Sequence, residues 1–237
     1  MTKLAPKSKR DAYYRCDKNS SYELLRKKAL SHSYRLANRG IKKGKKSAYA
    51  VTVDMCPSSK KGFEADFFKN LIGRQKNYPV TISLTQKWAK YHAQEFKQLK
   101  EWHEQKLLHI TWMNHGSMHP YYRGVTFEKN FINIDGFNFK KEVLDNETFM
   151  LKEGLTPSIF YRFAGLVSNK KAYTDLIDEL GLIPLGTLAW LAKGETIEKG
   201  SIVLVHGNKN EPLGIKRFVN TKITLPVVEL PQLFLED

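Results

Sequence analysis

Two histidines, His115 and His119, stand four residues apart in NHGSMHP, residues 114–120. On a helical turn that spacing points both imidazoles the same way, and two such rings can share one metal ion. The same spacing also occurs on plain protein surfaces. Asp54 closes the apolar run 48–53 and reads either as a cap for the following turn or as a base in a cleft. His206 closes the run 202–205; it reads as a general acid or as a ring bonded to a loop carbonyl. Arg162 lies between aromatic residues in FYRF, 160–163. A guanidinium among bulky apolar neighbours needs a carboxylate partner, and Asp54 is the natural candidate if these segments converge.

The elements that must carry these residues alternate. Residues 48–54, 79–85, 107–113, 158–163, 182–185 and 201–205 are apolar and largely β-branched, and read as strands. Between them, 63–75, 86–102 and 169–180 have apolar residues at helical spacing. Strands alternating with helices predict βαβ units and a mainly parallel sheet. Such folds place their sites at the C-terminal ends of the strands. Asp54, the 115–119 segment, Arg162 and His206 all fall at such ends.

The bulk properties narrow the class. The 237 residues suffice for one large core, and no stretch has the length and apolarity of a membrane helix. The net charge of +15 is uneven: residues 1–50 hold 15 Lys/Arg against 3 Asp/Glu. The first 46 residues therefore read as a basic N-terminal extension, with a helix over 20–38 and a linker over 40–46, ahead of a domain over 47–237. That extension suits contact with an anionic surface. Aromatic and basic residues do not interleave as a nucleic-acid stacking platform requires, so no specific nucleic-acid partner is expected. The two cysteines, Cys16 and Cys56, are too few for a zinc ribbon and read as buried thiols or one disulfide.

The ordered series TVDMCPS (52–58), NHGSMHP (114–120), FYRFAGLVSN (160–169), LGTLAWLAKG (185–194) and GSIVLVHGN (200–208) resembles the five motifs of the polysaccharide deacetylase family. This is carbohydrate esterase family four, the NodB homology domain. The resemblance implies a distorted (β/α) barrel and a metal-dependent deacetylase acting on an acetylated glycan such as peptidoglycan or an exopolysaccharide. A catalytically impaired glycan-binding relative is the alternative. It further implies Asp54 as general base, Arg162 as its holder, His115 and His119 as ligands of a divalent metal such as zinc, and His206 as general acid. Trp190, Asn114 and Asn208 are expected to support the site and its substrate.

Three positions depart from the family pattern. Met55 stands where the metal-binding second Asp is usual, Ala164 where Pro is usual, and Leu188 where an Asp precedes the Trp. An incomplete two-histidine shell predicts a weakly held metal. Finally, a Cys16–Cys56 disulfide is expected to tie the extension across the barrel. With an acetylated wall or matrix polymer as substrate, it points to a periplasmic or extracellular protein whose leader is absent from this chain.

Overall fold

The computed structural model describes residues 20–57 and 62–235. Seven strands form one parallel sheet in the order β5-β4-β3-β2-β1-β7-β6. They are β1 (Ala50–Met55), β2 (Tyr78–Leu84), β3 (Leu108–Asn114), β4 (Pro157–Tyr161), β5 (Ile183–Pro184), β6 (Ala189–Trp190) and β7 (Ile202–His206). The central strands β1, β2 and β7 are buried along their whole length, as a parallel sheet covered on both sides requires. The sheet curls into a half-barrel with helices outside, the distorted (β/α) barrel expected.

Among the described residues, seven α-helices accompany the sheet: α1 (Ser21–Ser31), α2 (Ala65–Arg74), α3 (Gln86–Tyr91), α4 (Ala93–Glu104), α5 (Phe139–Lys152), α6 (Lys170–Asp178) and α7 (Pro212–Asn220). Phe67, Phe68 and Leu71 of α2, Trp88 of α3 and Phe96 and Leu99 of α4 pack with Val51, Val53 and Met55 of β1 in one core cluster. None of the described helices is long and apolar enough to cross a membrane. The helix expected over 86–102 is broken at His92, and α5 and α7 were not expected.

The N-terminal region differs from its sequence reading in two ways. Helix α1 ends at Ser31 rather than continuing to residue 38, and it docks through Leu25 and Ala29 while Leu24 and Leu30 face solvent. Its anchors are polar as well as apolar: Tyr173 Oη donates to Ala29 O (2.9 Å), and Tyr22 Oη to Gly181 O (3.2 Å). The segment expected as a linker is built into the barrel. Ile41 is fully buried and pairs with Leu185, its N–H bonding Pro184 O (3.0 Å) while its carbonyl accepts from Gly186. Lys43 bridges to Ser201. Residues 41–43 thus run from the end of β5 to the start of β7.

Candidate active site

The chemistry-bearing residues meet at the C-terminal ends of the strands. Asp54 and His206 are register partners on neighbouring strands β1 and β7. Arg162 follows β4 and is fully buried; its Nη1 donates to Asp54 Oδ1 (2.8 Å) and Thr52 Oγ1 (2.7 Å), and its Nη2 reaches Gly186 O (3.3 Å). The expected Asp54–Arg162 pair is present. Burial alone would push the Asp54 carboxyl up, but the Arg162 charge overcomes this, helped by His115 and His206, and holds it below the ordinary carboxylate value.

His115 follows β3 and is buried beside Asp54, with Nε2 3.6 Å from Asp54 Oδ2. Its Nδ1 lies 2.9 Å from Arg162 O. A carbonyl only accepts, so Nδ1 carries the proton and Nε2 keeps a free lone pair. The 115–119 segment is not helical. The two rings meet, with centroids 4.8 Å apart, because the backbone turns through left-handed residues at Gly116 (φ 89°) and His119 (φ 46°). A side chain at 116 would collide with Glu142 Oε1, 2.6 Å from its Cβ position. That carboxylate fixes the turn by accepting the N–H groups of Met118 (2.8 Å) and His119 (2.7 Å).

Asn114 and Asn208 are fully buried anchors within the protein rather than groups that meet a substrate. Asn114 Oδ1 accepts from Gly116 N (2.8 Å), and its Nδ2 donates to Val143 O (3.0 Å) and Glu147 Oε1 (3.2 Å). Asn208 Nδ2 donates to Cys56 O (2.6 Å). Glu142 and Glu147, both on α5, were not singled out from the sequence.

Cys56 is a free, buried thiol, with Sγ 3.4 Å from His115 Nε2. The expected disulfide is corrected on this point: the sulfur turns into the histidine cluster instead of outward. Cys16 lies outside the described residues. Burial, reinforced by the negative charges of Asp54 and Glu211, keeps the Cys56 thiol pKa well above its ordinary value. Ligand atoms of Cys56, His115 and His119 lie within 4.8 Å of one another, and Asp54, Cys56 and His206 form an overlapping group of the same span. Met55, where the family pattern has a metal-binding Asp, is buried in the outer core and packs against Gly207.

This donor set fits a divalent metal. His119 Nε2 is enclosed and has no hydrogen-bond partner. Burial and the neighbouring His115 lower the His119 pKa to about 3, and burial also lowers that of His115. Both rings are therefore neutral, as ligation requires. Two imidazoles and a thiol that would bind as thiolate form a set that zinc accepts.

His206 is flanked by a group that sequence reasoning missed. Glu211 Oε2 stands 2.9 Å from His206 Nδ1, a charge contact without the alignment of a full hydrogen bond. The same oxygen accepts from Trp190 Nε1 (2.7 Å), and the Trp190 and His206 rings lie 6.5 Å apart. Burial would raise the Glu211 pKa, but His206 and the indole N–H bring it below the ordinary value. The available signal was a carboxylate five residues after the strand-end histidine, in the loop leading into Pro212.

Solved structures share this fold. A family 4 carbohydrate esterase from Bacillus anthracis superposes with a TM-score of 0.56 at 19% identity, over 87% of this chain and 87% of that one. The fold is that of the family 4 carbohydrate esterases. A family 4 pseudoenzyme from Bacillus anthracis matches with a TM-score of 0.56 at 13% identity, over 84% of this chain and 69% of its own. The chitin deacetylase of Colletotrichum lindemuthianum matches with the same TM-score and identity, over 83% and 91%. No protein-family model matches the sequence. Cys56 follows the buried Met55 directly in the chain, and Glu211 supplies a carboxylate beside His206.

Proposed function

We propose that this chain is a metal-dependent deacetylase that hydrolyses an acetamide, or an acetate ester, on a glycan of the peptidoglycan or chitin type. One observation carries the reading: the Arg162-paired Asp54 lies between the His115–His119–Cys56 group and His206. A divalent metal held by His115, His119 and Cys56, zinc being the natural candidate, would supply Lewis acidity toward the acetyl carbonyl. The protein's own groups do the rest. Asp54, kept ionised by Arg162, accepts the proton of the attacking water. His206, oriented by Glu211, gives a proton to the departing nitrogen, leaving acetate and a free amine. Tyr121 and Tyr122, both more than half exposed just past His119, offer ring faces to a sugar. Export remains part of this proposal through the substrate class alone, since a free Cys56 withdraws the disulfide argument.

Acetate release from N-acetylglucosamine oligomers and from peptidoglycan, by zinc-loaded protein, tests the reading. Turnover abolished by Asp54→Asn and by His206→Ala supports it. The burial of Met55 in the core favours a second reading, a glycan-binding relative without turnover. Saturable oligosaccharide binding with no acetate release from zinc- or cobalt-loaded protein would select that second reading and overturn the first.

A further inference from the structure

Away from the Asp54 site, a cavity of about 280 Å³ opens between the end of α1 and the segment that enters the barrel. Its lining includes Lys28, His32, Arg35, Arg39 and Lys42. Among the described residues, none of the four Lys/Arg side chains makes an ion pair with a carboxylate. Lys43 also lines the cavity but is paired with Glu198 at 2.7 Å, and Lys28 Nζ donates to Lys43 O (3.0 Å). Glu195 acts on Lys42 only through space, its Oε2 being taken by Trp190 N–H.

Two of the lining groups are fixed and underused. The Arg39 guanidinium lies 3.7 Å from the centroid of the Tyr173 ring and 5.7 Å from that of Tyr34, with Nη2 donating to His32 O (3.0 Å). Stacking and that bond hold the fork still, yet Nε and Nη1 are enclosed with no acceptor. His32 Nδ1 is likewise enclosed and unpartnered. An enclosed donor without an acceptor is destabilising, more so when charged. Several cations around one cavity, most of them without a carboxylate partner, call for a multivalent anion. Burial first, and then neighbouring cations, lower the pKa values of Lys28 and His32.

We infer that this cavity binds a phosphate group, with Lys28, Arg35, Arg39 and Lys42 supplying the charge around it and His32 standing on its wall. Clustered Lys and Arg side chains around one concave site suit a multiply charged anion. The phosphate is either the free ion or a monoester on a larger molecule. The site is independent of the chemistry at Asp54.

Calorimetric titration of metal-free protein with inorganic phosphate, at low salt, tests this. One saturable site per chain is expected, weakened at least tenfold in Arg39→Gln and in the double variant Arg35→Gln, Lys42→Gln. The double variant leaves the Arg39–Tyr173 stack intact and guards against misfolding of the first. A shift of the His32 ring resonances on adding phosphate is expected in the parent protein. Glucosamine 6-phosphate forms the second arm: tighter binding than the free ion assigns the site to a carried monoester, and weaker binding to free phosphate. No saturable binding, or binding unchanged in the double variant, would overturn the inference.

Discussion

Glu211 stands 2.9 Å from His206, five residues further along the chain, and shares its carboxylate with the Trp190 indole. A carboxylate on one ring nitrogen orients the imidazole and leaves the other nitrogen to deliver a proton. Glu211→Gln should lower kcat for acetate release by roughly tenfold to a hundredfold, less than the loss on removing His206, a general acid that contributes about 10²–10⁴-fold. KM should change little, because Glu211 acts through the His206 ring rather than on the substrate. An unchanged kcat would reduce Glu211 to a surface contact.

The Asp54–Arg162 pair is buried on both sides, so removing one partner strands the other charge. Arg162→Met should destabilise the fold by about 3–5 kcal/mol. The double variant Arg162→Met, Asp54→Leu should recover much of that loss while remaining inactive. Urea unfolding of the three proteins gives the comparison, and equal stability of single and double variants would contradict it.

Cys56 should be a ligand. Cobalt-substituted protein should show a sulfur-to-cobalt charge-transfer band in the near ultraviolet that vanishes in Cys56→Ala. Zinc affinity should fall by at least an order of magnitude in that variant, because two imidazoles alone make an incomplete shell. Thiol titration of the denatured, unreduced protein should find Cys56 reactive. A Cys56 blocked in that assay would restore the disulfide and remove the ligand.

His103, on α4, gives a pH signature remote from the site. Its Nδ1 accepts from Ile110 N (3.1 Å), and burial holds its pKa below the ordinary value of 6.5. The folded form therefore binds the proton less well than the unfolded chain. Its stabilising contribution is complete above pH 6.5 and is lost as pH falls from there toward the lowered value. Urea midpoints measured from pH 8 to pH 5 should fall less steeply in His103→Asn than in the parent.

Much of this was legible in the sequence because strand and site coincide. The β-branched runs at 48–54, 79–85 and 201–205 mark the central strands, and the polar residue closing each of several runs is the one that points into the barrel end. Helix α5 was missed for a physical reason. Its inner face carries Glu142, Asn146 and Glu147, which anchor the histidine turn and Asn114, so the apolar periodicity that reveals a helix is interrupted where the helix is most needed. The roles of Cys56 and Glu211 arise from approach in space. Cys56 meets a histidine 59 residues away, and Glu211 an indole 21 residues back. Spacing along one motif carries no trace of either contact.

The short strap around Ile41 changes what it means to trim this protein. Ile41 bonds to the end of β5 and Lys42 to the start of β7, and Gly186, held by Ile41, is the same residue whose carbonyl receives Arg162 Nη2. Asn38 reinforces the link by bonding both the N–H and the carbonyl of Thr187. A variant begun at residue 47 would not be the same barrel without a tail. It would lose the strap that joins β5 to β7 and loosen the seat of Arg162, so truncation from this end changes the geometry around Asp54.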